Sequence, residues 1–458
     1  MKKRILSLML ALALLLPSLA GCGKSEDPAK PDGQPETEPD YSWFSMPGDT
    51  GKLVLYISAE YNSLYDPTIR IFQEKYPEIE ISHQTYGEDE YRTLLRAEVP
   101  AGKGPDLVLF RSNTFPDIYK TMQTGLFEDL NPYFAVDDEI ALSEFLRPVM
   151  DGGVFGGERL VVPLNYDVPL IMTTESILAE LGMSAEELRT CDGFCEGAAR
   201  FHEKYPDTTL FFDMAQPYSP YLYDIRTLYK NFGFQFIDFE AGEVDIDEGR
   251  FRQCMDLVKL FYNPDYDGSD MSKWDIYGYS AGEGLNQRFF MYDDGSATDF
   301  MSCNNCRQYL NSVGEEPVFF LQSDQHDGVT AEMDFCVAIP KASPNKAAAW
   351  KFLKILLSDE IQGGHDDGYG NGIFLQIGFP VRLTSFRSAL DYGHELTPAG
   401  SEMDTFIELV QSPTQALLIP QVYRRLIDEH IMPYIRGEKP WDDCYKKFLG
   451  AVELYKDE

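Results

Sequence analysis

Apolar residues in the first part of the chain follow two patterns, short continuous runs and stretches with helical spacing. The run at 52–58, Lys-Leu-Val-Leu-Tyr-Ile-Ser, is typical of a buried strand. In the stretch that follows, the apolar positions share one face of a helix. The predicted helix begins at Asp66 and Pro67 and ends at Pro77. The pattern therefore predicts a strand followed by a helix.

The same alternation continues for two more strands. Apolar and polar residues alternate at 79–82, helical spacing covers 90–97, and the run at 106–110 reads as a strand buried on both faces. A β-α-β-α-β order predicts a parallel sheet with helices on both faces, whose ligands bind at the carboxyl ends of the strands. Ser58, Glu60 and Asn113 lie at those ends and are candidate ligand contacts.

Three later segments are typical of a chain that passes between two domains. The apolar stretch that starts at 159 is interrupted by the polar trio at 165–167, and similar interruptions occur at 287–300 and 333–340. Ser343-Pro344 then begins a helix in which Trp350 lies on the apolar face, so we expect Trp350 in the core.

The amino-terminus has the order of a secretory signal. Basic residues at 2–4 precede an apolar stretch at 5–16, which is too short to span a bilayer as a helix. Leu19-Ala20-Gly21-Cys22 follows and is similar to a bacterial lipobox, in which the cysteine carries the lipid. We predict a signal peptide at 1–21, lipidation of Cys22 and a lipid anchor on the extracytoplasmic face of the cell membrane. The proline-rich, acidic segment 22–50 is predicted to be a flexible tether.

The formal net charge is −36, from 39 basic and 75 acidic residues. A surface of this sign repels phosphate backbones, so the composition argues against nucleic-acid binding.

Seven cysteines remain after Cys22, an odd number that cannot be fully paired. Cys303 and Cys306 have CxxC spacing, but no second CxxC and no nearby histidine complete a metal site in the sequence. We therefore expect reduced or locally paired thiols, no metal and no cofactor.

Seven short segments, in this order, resemble the extracellular solute-binding proteins of ABC importers, the family that includes maltose-binding protein. They are Pro105-Asp-Leu-Val, Gly125-Leu-Phe-Glu-Asp-Leu with Pro132, Val162-Pro163, Ser343-Pro-Asn-Lys, the helix from Ala349 to Gln362, Gly378-Phe-Pro-Val-Arg and Ile435-Arg-Gly-Glu-Lys-Pro. The resemblance implies an α/β class fold of the type II periplasmic-binding-protein kind, with two lobes joined by crossover strands and a ligand cleft between them. On this basis we assign 51–165 and 286–332 to the first lobe, and 166–285 and 333–458 to the second.

The resemblance also implies a function. It suggests a monomeric, non-enzymatic lipoprotein that captures a small solute, most simply a sugar or oligosaccharide, and delivers it to the transmembrane subunits of an ABC permease. A binding lipoprotein that serves a sensor or an adhesion role remains an alternative.

Local matches to the maltose-binding pattern suggest further ligand contacts. Asp167 follows the first crossover, Gln216 and Tyr218 fall on a Glu-Pro-Tyr pattern, and Ser296 falls on a Gly-Ser-Trp pattern. Ala297 stands where that last pattern has an aromatic ring. Sugar rings need flat aromatic faces, and the candidates to supply them instead are Trp274, Tyr277 and Tyr279.

Ser280 in Gly-Tyr-Ser-Ala-Gly is a remote candidate for a serine hydrolase nucleophile. That role needs a buried strand before the serine and a helix directly after it. The half-polar segment before Ser280 and the glycines after it argue against both.

Overall fold

The computed structural model describes residues 40–204, 211–212, 232–262, 291–292, 314–364, 378–391 and 400–458. The chain divides into two compact units, Met1–Trp43 and Phe44–Glu458, and the described helices and strands belong to the second. In the first unit, the rings of Tyr41 and Trp43 lie 6.3 Å apart. Among the described helices, none combines the length and the apolar character that crossing a membrane requires.

The described strands are β1 (Lys52–Ser58), β2 (Glu80–Tyr86), β3 (Val108–Phe110), β4 (Val154–Phe155), β5 (Glu158–Arg159), β6 (Val162–Pro163), β7 (Asn165–Asp167), β8 (Leu170–Thr174), β9 (Phe211–Phe212), β10 (Ile237–Asp238), β11 (Glu243–Val244), β12 (Met291–Tyr292), β13 (Pro317–Leu321), β14 (Thr330–Met333), β15 (Cys336–Ala338), β16 (Phe379–Pro380) and β17 (Gln415–Leu417).

The described α-helices are α1 (Asn62–Lys75), α2 (Glu88–Glu98), α3 (Ile118–Gln123), α4 (Asn131–Val136), α5 (Arg147–Asp151), α6 (Glu175–Leu181), α7 (Ala185–Leu188), α8 (Cys191–Lys204), α9 (Glu248–Phe261), α10 (Lys346–Leu356), α11 (Asp359–Gln362), α12 (Phe386–Asp391), α13 (Gly400–Val410), α14 (Gln421–His430), α15 (Met432–Ile435) and α16 (Trp441–Asp457). Short 3-10 turns cover Ala59–Tyr61, Leu142–Glu144 and Leu383–Ser385.

The strand groups β2-β1 and β3-β15-β6 lie side by side, and we call them together the first sheet. β1 and β2 pair in parallel along their full lengths, and a parallel bridge from Leu55 to Leu107 joins β1 to the segment that enters β3. This confirms the predicted β-α-β-α-β unit. β15 is antiparallel to both β3 and β6, because the chain re-enters this sheet at the edge where β3 and β6 end.

The buried carboxylate of Asp106 connects three parts of this region. Its Oδ2 accepts hydrogen bonds from the Val54 amide at 2.7 Å and the Asn345 side chain at 2.8 Å, and its Oδ1 accepts one from Ser343 Oγ at 2.7 Å. Asp106 therefore holds β1 and the turn before α10 against the start of β3, within the Pro-Asp-Leu-Val segment.

Two further sheets follow the first crossing of the chain. One has the order β16-β7-β14-β17, and the other has β8 between β13 and β12, with β9 beyond β12. The polar trio Asn165–Asp167 is therefore itself a strand, β7, antiparallel to β14.

The strand pairing differs from the lobe boundaries predicted for two segments. Within 286–332, β12 and β13 pair with β8, and β14 pairs with β7, so these strands lie with the segment assigned to the second lobe. Conversely, β15 lies in the first sheet, and Phe352 on α10 packs against Phe72 on α1 with ring centroids 5.5 Å apart. Both differences have the same cause. The described strands between β7 and β14 pair in sheets other than the first, and the segment at 333–340 leads the chain back into the first sheet.

Helix α1 begins earlier than predicted. It starts at Asn62, with Pro67 inside it, instead of at Asp66. Leu64 and Tyr65 are buried, and their contacts with the core extend the helix by one turn toward the amino-terminus.

The end of the predicted tether belongs to the folded body. The Phe44 ring lies 4.8 Å from that of Tyr133, and Asp49 pairs with Lys351 at 2.6 Å. The folded part therefore begins at Phe44, before the predicted start at residue 51.

Candidate ligand-binding site

The chain crosses between the first sheet and the sheet of β7 at two adjacent places. The first crossing runs from β6 to β7, and the second from β14 to β15. The Leu164 amide donates to the Phe335 carbonyl at 2.8 Å, and the Phe335 amide donates to Asn165 Oδ1 at 2.7 Å. The two crossings are thus hydrogen-bonded to each other, which confirms the crossovers predicted at 163 and at 333–340.

The carboxyl ends of β1 and β3 meet the second crossing at the same edge of the first sheet. Cys336, the first residue of β15, is the pairing partner of Phe110, the last residue of β3. The segment at 111–114 therefore lies beside Asp334 and Phe335. Polar residues from three distant parts of the sequence converge there.

An ion pair connects β3 to the second crossing. Arg111 donates from Nε to Asp334 Oδ1 at 2.7 Å and from Nη2 to Asp334 Oδ2 at 2.9 Å, a bidentate geometry. The guanidinium also lies 4.9 Å from the centroid of the Phe335 ring. Burial opposes the charge of Arg111, but attraction to Asp334 raises the guanidinium pKa overall, so Arg111 is a permanent cation.

Arg111 remains accessible despite these contacts. Its side chain is 42% exposed, whereas that of Asp334 is 13% exposed. A guanidinium carries five donors, of which this pair uses two. Arg111 can therefore donate hydrogen bonds to a ligand while it stays paired with Asp334.

Two buried polar atoms nearby have unused hydrogen-bonding capacity. Within the described part of the chain, neither the Tyr61 hydroxyl nor Asn113 Oδ1 has a hydrogen-bond partner. The Tyr61 ring packs edge-on against Phe335 at 5.0 Å, which places it at the second crossing. Burial raises the pKa of Tyr61, so its hydroxyl stays protonated and can donate. Such buried polar groups call for a water or a ligand as partner.

Asp167 lies on the other side of the crossing, in β7. It is half-buried, stands opposite Glu332 in the strand pairing and attracts Arg111 electrostatically. Gly378, with a φ of 128°, packs against it, and a Cβ at that position would lie 2.8 Å from both Asp167 Oδ1 and Asn165 Nδ2. Only glycine fits this approach without displacing the crossing strand.

The structure thus brings Asn113 and Asp167 to one region with Arg111. Ser58 is buried, and its hydroxyl donates to Glu88 Oε2 at 2.6 Å. Glu60 is exposed on the turn that carries Tyr61. Arg111, Asp334 and Tyr61 were missed in the sequence, although the position of Arg111 directly after a buried strand was a signal for it.

The other predicted contacts lie outside the described residues: Gln216, Tyr218, Trp274, Tyr277, Tyr279 and Ser296. The same holds for Cys22 and Ser280.

A cavity of about 460 Å³ lies elsewhere on the body. Its lining includes Tyr119, Arg147, Asp151, Glu240 and Gln415. Its lining contains none of the predicted ligand contacts.

Comparisons with known proteins show which family and which fold this chain is similar to. A family model described as "Bacterial extracellular solute-binding protein" matches residues 37–238, which include the first sheet up to β6, strand β7 and the residues after β3. Over these residues the chain is similar to extracellular solute-binding proteins, a family whose members lie outside the cytoplasm and bind solutes.

Solved structures of solute-binding proteins have a fold similar to that of this chain. The sugar-binding protein MalE of Xanthomonas citri is 14% identical, with a TM-score of 0.63 over 89% of this chain and 97% of that one. An ABC transporter solute-binding protein of Thermotoga lettingae, bound with α-D-tagatose, is 16% identical, with a TM-score of 0.54 over 88% and 99% of the two chains. A cyclic α-maltosyl-1,6-maltose binding protein of Arthrobacter globiformis is 14% identical, with a TM-score of 0.54 over 89% and 99%. The predicted two-lobed, type II fold is confirmed.

Proposed function

We propose that this protein captures a carbohydrate between its two lobes and delivers it to an ABC permease. The observation that carries the proposal is the accessible Arg111, held by Asp334 at the point where the chain crosses between the lobes. A donor fixed at this position can donate a hydrogen bond to a sugar hydroxyl, and its position between the lobes makes that bond depend on whether the lobes are closed. Proteins of the same fold that bind α-D-tagatose and a cyclic maltosyl-maltose support the choice of ligand class.

The two crossings act as the hinge in this proposal. Each consists of one or two residues between a strand of the first sheet and a strand of the next. Such short connections absorb backbone rotation while the lobes move as rigid bodies. A ligand that contacts Arg111 from one lobe and Asp167 from the other binds the closed form better and so stabilises it.

Aromatic faces for the sugar ring are proposed to come from Trp274, Tyr277 or Tyr279, with Gln216, Tyr218 and Ser296 as further contacts. The first lobe is proposed to contain the first sheet with α1 and α10, and the second lobe the sheets of β7 and β8. The protein is proposed to act as a monomer and without turnover of its ligand.

Ligand class is tested by thermal unfolding of the purified protein in the presence of sugars, glycan fragments, peptides and polyamines. A true ligand at a hundred times its Kd stabilises the folded state by about 2.7 kcal/mol. We expect such a shift with a mono- or oligosaccharide. Shifts that occur only with peptides or polyamines would contradict the carbohydrate assignment.

Delivery to a permease is tested by uptake of the identified, radiolabelled ligand in cells that lack the gene. Loss of uptake, restored by the wild-type gene, supports transport. Normal uptake combined with a lost transcriptional response would show a sensor role instead.

Anchoring is proposed to occur through a lipid on Cys22, at the end of Leu19-Ala20-Gly21-Cys22. Cys22→Ala is expected to abolish incorporation of a labelled fatty acid and to shift the protein out of the lipid-anchored membrane fraction. Cys303→Ala serves as the matched control and should keep the label. Continued acylation of the Cys22→Ala protein would show that the lipobox is misassigned.

A further inference from the structure

Three cysteine side chains meet between helices α8 and α9. Cys191 and Cys195 are one turn apart on α8, and Cys254 lies on α9. The Sγ atoms of Cys191 and Cys254 are 3.8 Å apart, and all three sulfurs lie within 4.8 Å of one another. All three residues are buried. We call them the cysteine triad.

The sulfur spacing matches a shared metal ion. Three ligands in a plane, each about 2.3 Å from one ion, stand about 4.0 Å apart. The observed spacing needs only small rotamer adjustments to reach that arrangement. A disulfide, by contrast, requires sulfurs about 2.05 Å apart and leaves the third cysteine unused.

The type and number of ligands select the ion. Thiolates prefer soft ions such as Cu(I) and Zn²⁺. Structural zinc takes four ligands, and among the described histidine, cysteine, aspartate and glutamate side chains the group contains only the three cysteines. Three soft ligands without a fourth favour an ion of low coordination number, which is Cu(I).

We propose that Cys191, Cys195 and Cys254 form a Cu(I)-binding site between α8 and α9. Binding releases the thiol protons and joins the two helices through the metal.

The site is tested by anaerobic titration of the purified, reduced full-length chain with Cu(I), in competition with a chromophoric Cu(I) chelator. The chain carries Cys22→Ser, Cys303→Ser and Cys306→Ser, so that those thiols cannot bind the ion. We expect one Cu(I) per chain and an X-ray absorption spectrum with three sulfur neighbours at about 2.3 Å. The spectrum needs no substitution in the triad, so the test holds even if a triad variant folds poorly.

Substitution then assigns the ligands. Cys191→Ser, Cys195→Ser and Cys254→Ser are each expected to weaken Cu(I) binding at least hundredfold, because even changes outside the ligand shell cost about 10- to 100-fold. Cys444→Ser removes an equally buried thiol outside the triad and should leave the affinity unchanged. Each apo variant is checked by thermal unfolding.

Three results would overturn the proposal. They are a chain that takes up no Cu(I), a four-coordinate zinc ion that Cu(I) does not displace, and a Cys191–Cys254 disulfide found by mass spectrometry in protein isolated from its native compartment.

Discussion

Replacing Trp350 with Ala is expected to lower the free energy of unfolding by about 3 to 5 kcal/mol. The side chain is 2% exposed, and its ring lies 4.9 Å from the Phe134 ring and 5.3 Å from the Tyr133 ring. Its Nε1 also donates to Asp137 Oδ2 at 2.7 Å. The substitution removes the largest fully buried side chain among the described residues and leaves a cavity between α10 and α4.

Two controls separate packing from hydrogen bonding at this position. Trp350→Phe keeps a ring and removes the donor, and should cost about 1 to 2 kcal/mol, since Lys354 still pairs with Asp137 at 2.8 Å. Leu454→Ala, at an apolar side chain that is 63% exposed, should change stability by less than about 0.5 kcal/mol. Urea unfolding without ligand measures all three. Equal losses for Trp350→Ala and Leu454→Ala would contradict the burial of Trp350.

Arg111→Ala is expected to weaken ligand binding by about 30- to 100-fold, which is about 2 to 3 kcal/mol. The change removes a charged donor to the ligand and leaves the largely buried Asp334 without its bidentate partner. Calorimetry with the identified carbohydrate measures the loss. The loss in the free energy of unfolding should be smaller than the loss in the free energy of ligand binding, because the Arg111 side chain is partly exposed.

Arg387→Ala is the matched control, since Arg387 pairs with Asp404 on the surface and both side chains are largely exposed. It should leave affinity unchanged. Asp334→Asn keeps the shape of the partner and removes its charge, so Arg111 loses its orientation and affinity should fall with Arg111 still present. Unchanged affinity in both Arg111→Ala and Asp334→Asn would show that the ligand binds elsewhere, even if the protein is a solute-binding protein.

Local patterns were sufficient for the elements of the first sheet. The run at 52–58 is β1, and the proline at 77 ends α1 close to the predicted residue. These predictions succeed because strand and helix periods depend on neighbours within a few residues. Trp350 was correctly assigned to the core from the same local pattern, because the single apolar face of a helix packs against the core.

The direction of a crossing is not a local property. The sequence indicated crossovers at 163 and at 333–340, yet it did not show that the second leads back to the first sheet. Strand pairing decides that direction, since hydrogen bonds between β15 and β3 join residues more than two hundred positions apart.

The sequence predicted those site residues that lie at the end of a strand or match the family pattern. Asn113 and Asp167 follow from strand-end geometry and family resemblance, and the structure places them near Arg111. The partner of Arg111 could not be read from the sequence, because Asp334 is 223 positions away and is one acid among 75. The cysteine triad is similar: the sequence supplies Cys191 and Cys195 one helical turn apart, but only the packing of α9 against α8 brings Cys254 to them. Short-range periodicity determined the elements of the first sheet, and the resemblance of seven short segments indicated the class of protein. The charged pair and the triad instead depend on contacts between distant segments, which form only when the whole core is packed.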